Sequence, residues 1–541
     1  MDKNAFLAII LCLVIFLGWS YLFPTVPPEK ETSPKANKEL VVEKEQNQDG
    51  TVALPPSTSE PTEKKPEDGE FLKYEDTQIS IDNEYLEAKI GARSGGIYSW
   101  KLKKYKDNEG NPIDLASNHE LSPLNLSLGH FFTAKSLKDK TFYPFKLVSS
   151  SEKELKFEFE GAGVKLVKVY RFIPETYEIK IHFEVESSKE DLMGYLGFVL
   201  SERYKPVKGG FLSYQGAPQR FLYSSIDGKT NTIKFDSIAS SENLKEDLNT
   251  NVFWMGSDEQ YFLSALITQN QKSRVWVERN GDIIKSFLQL PLQGKKIELE
   301  FSLFKGPKDK DILDKVYPNL SASIDYGWFK VVALPLLYLL KFFYGLIRNY
   351  GIAIILLTVF VKIILHPLTH KSFKSMKEMQ RIQPQLNKIR EKFKDDKEKL
   401  NREMMALMKS NKVNPMGGCF PMLLQFPVFI ALYRVLGNSI ELRGAPFIFW
   451  IADLSQKDKF YVLPLLTGLV TFIQQKNTPT MGDPTQAKMM MMMPVFMTSV
   501  LLFLPSGLTL YIFVNAVLTF AQQYFINRPI QTENTLVNSV Q

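Results

Sequence analysis

One charged residue sits deep inside the most apolar stretch of this chain. Residues 351–370 read GIAIILLTVFVKIILHPLTH, and Lys362 interrupts the run. In a helix it lies about 15 Å along the axis from Ile352, at roughly 1.5 Å per residue. That depth is well inside a hydrocarbon core about 30 Å thick. A basic residue there costs roughly 2.5–3.5 kcal/mol on insertion scales, so it normally faces a bundle interior or a water-filled cavity. Snorkelling of the amine to the headgroups is the competing use. The other polar groups in the apolar runs are Thr358, Gln425, Thr467, Thr471, Thr498, Ser499, Tyr511 and Asn515. Hydroxyls in membrane helices commonly bond their own backbone. Gln425 and Asn515 say more, because a primary amide in lipid must find partners. One lysine among neutral polar groups, with no carboxylate in the runs, argues against a proton relay. It fits a damp, electropositive cavity.

The elements that would position these groups are helices. Residues 350–368 form the span that carries Lys362, and residues 417–528 hold four more apolar runs, the last two separated only by Pro505, Ser506 and Gly507. With an apolar run at residues 1–23 the count is six spans. That first run has no small-x-small cleavage site after it and reads as an uncleaved signal anchor. Residues 326–346 carry Pro335 and flanking Trp and Lys, which points to an interfacial amphipathic helix. Between residues 369 and 416, Phe373, Met376, Met379, Ile382, Leu386, Ile389 and Phe393 step by three or four, the signature of a helix. Asp395 and Asp396 interrupt the pattern, and Leu400, Met404 and Leu407 resume it, so a helical hairpin is expected. It holds 13 Lys/Arg against 6 Asp/Glu, the mark of a cytoplasmic loop. Its methionines Met404 and Met408, and Met489 at the mouth of the fifth span, suit adaptable contacts with apolar segments.

Composition divides the chain in two. Residues 1–324 have a net charge of −5 and residues 325–541 one of +12. The C-terminal part is therefore both apolar and basic, as a membrane bundle with basic cytoplasmic loops should be. No nucleic-acid motif accompanies the charge, and none is expected to be bound. Residues 24–69 are rich in Pro, Glu, Lys, Ser and Thr without apolar periodicity, which predicts a disordered tether. From residue 70 to 318, short alternating runs such as LKFEFEG, VKLVKVYRF and YEIKIHFEV predict antiparallel strands and a large β-sandwich. No Ser/His/Asp set, phosphate loop or spaced carboxylate pair stands out there, and Glu158, Glu160, Glu184 and Glu186 read as the solvent faces of strands. The cysteines, Cys12 and Cys419, both lie in apolar segments, and the five histidines show no metal-ligand spacing. Neither a cofactor nor a metal is expected, and no catalytic residue. Residues 529–541 form a short tail.

Lys362 with HPLT, the stretch EMMALMKSNKVNPMGGCFPMLLQFPVFIALY, ELRGAPFIFWIADLS and MPVFMTSVLLFLPSGLTLYIFVN together resemble the YidC-type membrane protein insertases. The resemblance covers about residues 326–528. The anchor and β region resemble the Gram-negative form, whose periplasmic domain is a β-supersandwich similar to sugar-mutarotase folds. It implies a multi-pass protein of the bacterial inner membrane, not an enzyme, with both termini in the cytoplasm. The function it implies is reception of hydrophobic nascent segments in a groove and their sideways release into lipid. The implied partners are nascent membrane proteins, the Sec translocon with its accessory subunits, the lipid bilayer and the ribosome. For the ribosome, the tail after Asn527 brings only one Arg and one Glu. The resemblance places Lys362 at the groove cation, often Arg in relatives, with Thr358 one turn away on the same face. Gln425 matches a groove-facing polar position, and Tyr511 falls in the LY of the last span, where relatives often carry a second Tyr and this chain has Ile512. The alternative class is a secondary transporter or channel with a mid-membrane lysine site, which calls for inverted repeats and paired broken helices.

Overall fold

The computed structural model describes residues 76–107, 109–116, 129–133, 143–161, 163–188, 192–204, 219–225, 228–235, 252–268, 273–280, 282–394, 396–411, 413, 420–476 and 484–527. For residues 129–133, 192–193, 280, 397, 420–424, 484–489 and 527 it describes the backbone alone. The expected anchor at 1–23, tether at 24–69 and tail at 529–541 lie outside the described residues.

Period-two alternation becomes three antiparallel sheets. The largest has nine strands in the order Thr230–Lys234, Arg220–Ser225, Val252–Asp258, Phe262–Ile267, Lys296–Pro307, Glu178–Ser187, Val164–Ile173, Glu154–Gly161 and Lys146–Ser150. A four-stranded sheet runs Arg274–Asn280, Ile283–Gly294, Leu192–Arg203 and Gly129–Thr133. The third joins Gln78–Asp82, Leu86–Gly91, Ile97–Lys106 and Pro112–Asp114. Successive residues of a strand point to opposite faces. Ile179, Ile181, Phe183 and Val185 therefore turn inward together with Leu299, Phe301 and Leu303 of the paired strand. The opposite face carries ion pairs, Lys156 with Glu158 and Lys296 with Glu184, each at 2.7 Å. Phe198 joins the two larger sheets, its ring 4.6 Å from Phe301 and 6.4 Å from Phe183. The third sheet is tied in by Trp100, whose indole N–H donates to the Lys305 carbonyl at 2.7 Å. Truncating such a buried aromatic costs about 3–5 kcal/mol.

Lys168 is one of several buried charged side chains in the β region, with Lys305 and Asp258. Lys168 is fully buried, with its Nζ 4.6 Å from the Phe145 ring, 5.1 Å from Phe157 and 5.0 Å from Tyr170. It donates to the Gly95 carbonyl at 3.2 Å, and burial pulls it down to about 7. Gly95 itself has a φ of +60°, and a Cβ there would meet Lys168 Nζ at 2.1 Å, so a side chain would strain the backbone and displace the ammonium.

The helices are α1 (Lys310–Val316), α2 (Lys330–Ile347), α3 (Tyr350–Lys392), α4 (Lys397–Ser410), α5 (Phe420–Asn438), α6 (Val462–Lys476), α7 (Pro484–Leu501) and α8 (Ser506–Asn527). Among the described residues α2, α3 and the stretch Ser506–Ile526 are long and apolar enough to cross a membrane, and Met490–Leu501 is a shorter apolar helix. Pro335 leaves α2 intact, so this helix has the length of a span although its composition suggests an interface.

The Lys362 helix does not stop at residue 368. Asn349 caps α3, accepting from the Ile352 amide at 3.1 Å, and the helix continues through Pro367 and Pro384 to Lys392. A proline inside a helix loses one backbone hydrogen bond and clashes with the preceding turn. Burial of Thr369, Ser372 and Phe373 just beyond Pro367 holds the helix together there. Its 43 residues reach about 65 Å, twice the hydrocarbon thickness, so its far half stands outside lipid. That half pairs with α4, which Asp396 caps by accepting from the Lys399 amide at 3.0 Å. Their seam is a separate small core of Met379, Ile382, Leu386, Met408 and Val413.

The β region is not separated from the helices, contrary to what a tether and an interfacial helix suggest. Gln260 Nε2 donates to the Gly437 carbonyl at 2.8 Å, and Asn438 Nδ2 to the Asp325 carbonyl at 3.0 Å. Lys341 of α2 lies 2.9 Å from both Asp311 and Glu441. Burial pushes the Glu441 carboxyl up, and the Lys341 charge draws it back. These contacts join residues far apart in the chain, where no local pattern announces them.

Candidate intramembrane polar site

Lys362 projects from α3 toward α8. Its ammonium donates to Thr519 Oγ1 at 2.6 Å, and Thr519 donates in turn to the Asn515 carbonyl at 2.6 Å. Lys362 is half-buried and forms no ion pair among the described residues. Its amine is thus turned across the helix pair rather than along α3. Thr358 lies one turn before it and is buried, but its hydroxyl donates to Ile354 O at 2.6 Å. Gln425 Nε2 of α5 donates to the Tyr511 hydroxyl of α8, which is buried. The sequence-derived residues therefore fall into two contacts on α8. Gln425 meets Tyr511, and two turns further Lys362 meets Thr519 beside Asn515.

Tyr511, Asn515, Thr519 and Gln523 recur every four residues, so they form one stripe along α8. Thr467, Thr471 and Gln475 repeat that spacing on α6, and the two threonines donate to their own helix at 2.7 and 2.8 Å. Asn515 Oδ1, Gln475 Nε2 and both amide atoms of Gln523 are buried with no hydrogen-bond partner among the described residues. In lipid such amides call for a polar ligand. Thr519, Gln523 and Gln475 escape a reading that collects polar residues one by one. The four-residue interval was the available signal.

At the end of this stripe nearest the hairpin, a cavity of about 1080 Å³ opens between α3 and α8. Lys362 and Ile363 line its inner end, and His366, His370 and Lys374 follow along α3. His366 and His370 are two of the five histidines, both on α3. They stand one helical turn apart with ring centroids 5.8 Å from each other.

The hairpin methionines take different places. Met408 is only 6% exposed and packs in the seam, Met404 is half-buried against it, and Met405 is 54% exposed. Met408 thus fills the seam between α3 and α4 in this arrangement. Met489 lies on α7, and its side chain is outside the described residues.

Residues 78–339 match the family described as YidC periplasmic domain, and residues 342–534 the family described as 60Kd inner membrane protein. The chain is 36% identical to the membrane protein insertase YidC of Geotalea daltonii over 554 residues, covering 98% of this chain and 100% of that one. It is 37% identical to that of Geobacter metallireducens over 547 residues, covering 98% and 99%. Among solved structures it is similar to an active YidC insertase with its first transmembrane domain resolved. That likeness has 18% identity and a TM-score of 0.38, covering 84% of this chain and 93% of the other. Relatives above 30% identity match it over nearly its whole length, and on that ground the chain belongs to the YidC family of membrane protein insertases.

Proposed function

We propose that this protein takes hydrophobic segments of nascent membrane proteins from the cytoplasm and passes them sideways into the lipid bilayer. The observation that carries this is the Lys362–Thr519 contact, on an α8 stripe that also holds the buried amides of Asn515 and Gln523, with no carboxylate paired to the lysine among the described residues. Such a polar seam keeps water partway into the membrane. A client's hydrophilic flank, above all an acidic one, rests against Lys362 while its apolar segment moves into lipid down the hydrophobic gradient. The lysine and the amides lower the barrier for the polar flank, and no covalent step is needed.

In this reading Lys362, Thr358, Gln425, Tyr511 and Asn515 line or support the groove, and the hairpin with Met404, Met408 and Met489 meets arriving clients. The chain makes six spans, α2 lies at the interface, both termini are cytoplasmic, and the β region is a periplasmic supersandwich. The protein works alone or beside the Sec translocon. The test is reconstitution of the purified protein in liposomes with a small single-span client, followed by protease protection. Protection above that of protein-free liposomes is expected. Equal protection in both would overturn the proposal.

A further inference from the structure

The cavity between α3 and α8 has a chemistry that changes along its length. Val359 to Glu378, the α3 residues that bound it, span about 28 Å at roughly 1.5 Å per residue. At the inner end Ile363 and Leu518 make apolar walls, and Ile363 is 66% exposed. Next come the imidazoles of His366 and His370, and after them the ammonium of Lys374. The single acid on the lining, Glu378, stands 3.4 Å from Arg381, so its charge is already matched. Lys374 has no ion pair among the described residues.

The proton on His366 is set by its neighbours. The Thr369 hydroxyl hydrogen is directed at the Leu365 and His366 carbonyls, each at 3.1 Å. Its oxygen must then accept from Gln522 Nε2 at 2.9 Å, which orients that amide. The second amide N–H meets His366 Nδ1 at 3.1 Å. His366 therefore accepts at Nδ1 and carries its proton on Nε2, which makes the outer nitrogen a donor. Two imidazoles and a lysine on consecutive turns of one helix face are a phosphate-binding set, and it stands above an apolar trough.

We propose that this cavity binds the headgroup phosphate of an anionic phospholipid, with its acyl chains along Ile363 and Leu518. The orientation rests on the reading above, in which the hairpin end of α3 is cytoplasmic. Anionic lipids concentrate in that leaflet, and basic pockets between helices there suit their headgroups. An acidic client flank would meet the same cations but would leave the apolar trough uncovered. Phe525 at the rim, 66% exposed, likewise suits the glycerol and upper chain of a lipid.

The test uses the full chain, purified and delipidated, with lipid retention read by native mass spectrometry. The probes are phosphatidylglycerol and phosphatidylcholine at equal concentration, each with and without excess inorganic phosphate. Phosphatidylglycerol is expected to be retained about tenfold better, a difference of about 1.4 kcal/mol. The double variant His370→Gln with Lys374→Gln should lose the preference while melting at the parent temperature. A melting point lowered in that variant is met with Lys374→Gln alone, for which the preference should fall at least threefold, about 0.7 kcal/mol. Equal retention of the two lipids, or an unchanged preference in the variants, overturns the proposal. Displacement by inorganic phosphate alone assigns the site to free phosphate and overturns the lipid source. Capture of an acidic client peptide in place of lipid also overturns it. Lipid preference that persists in a protein unable to insert clients would refute the insertase reading and leave this site standing.

Discussion

Lys362 Nζ lies 2.6 Å from Thr519 Oγ1, which joins the first third of α3 to the middle of α8 across 157 positions of sequence. A cation that only snorkelled would run along its own helix. This one is held by a neutral hydroxyl that already donates to Asn515 O, so its charge stays uncompensated and available.

Replacing Lys362 separates charge from stability. Lys362→Leu removes an ion whose placement costs roughly 2.5–3.5 kcal/mol, so the protein should melt no lower than the parent. Insertion of a weakly hydrophobic client with an acidic flank should nonetheless fall. Lys362→Arg should retain activity because charge is the property in use, and Lys362→Glu should fail most severely for acidic flanks. Complementation of depleted cells, with protein levels controlled, decides it. Full rescue by Lys362→Leu for the acidic client would end the groove-cation role.

Thr519→Val tests the partner. Hydrogen bonds between membrane helices are worth about 0.6 kcal/mol, and at most about 1.7. Thermal melting should therefore drop only slightly. Client insertion should slow more than melting changes, because the ammonium loses its fixed direction. The two quantities are measured on the same reconstituted sample, and a loss of stability with unaltered insertion would show Thr519 to be packing alone.

In the hairpin, exposure ranks the methionines. A photo-crosslinker at Met405 should capture arriving clients, and one at Met404 less so. At Met408, buried in the seam, adducts should be few unless α3 and α4 part during transfer. Yields at the three positions, compared in translating membranes, distinguish a static hairpin from an opening one. Met408→Ala should destabilise the hairpin by about 2 kcal/mol or more, visible as faster amide exchange.

Deletions should be sensitive to where they end. Removing residues 76–307 leaves Asp309 and Asp311 with Lys341, and insertion should persist. Extending the deletion through residue 319 strips α2 of both carboxylates and leaves only Glu441 against Lys341. Insertion by the longer deletion should be weaker at equal protein level, as protease protection of a client would report.

The β region should gain stability as pH rises above neutrality. Its Lys168 titrates near 7, well below the ordinary value near 10.5, because burial disfavours the charged form. Between these values the unfolded chain binds a proton that the folded one lacks, so unfolding free energy increases with pH. The penalty is complete below about pH 7 and fades toward pH 10.5. The steepest slope is on the order of 1.4 kcal/mol per pH unit. Lys168→Met should flatten it. Urea unfolding of the full chain, followed by tryptophan fluorescence at several pH values, measures both slopes.

Much of this molecule is written locally. Alternation in LKFEFEG and YEIKIHFEV dictates strands because one pleated face must leave water. The unbroken run around Lys362 dictates a helix too apolar for solution. The breaks at Asp395 and Asp396 and at Pro505 are equally local, since caps and prolines act over a single turn. Other features depend on partners distant in the chain. That Lys362 meets Thr519, that Gln425 meets Tyr511, and that Met408 rather than Met405 is buried follow from how α3, α4, α5 and α8 pack. The passage of α3 through Pro367 belongs here too, because burial of Thr369, Ser372 and Phe373 beyond the proline compensates for the lost bond. So does Gln522, whose orientation of His366 requires two helices side by side. Sequence by itself determined the elements and the charge placed among them. Which groups face one another was decided by tertiary packing, since a hydrogen bond across helices depends on distances that no single segment contains.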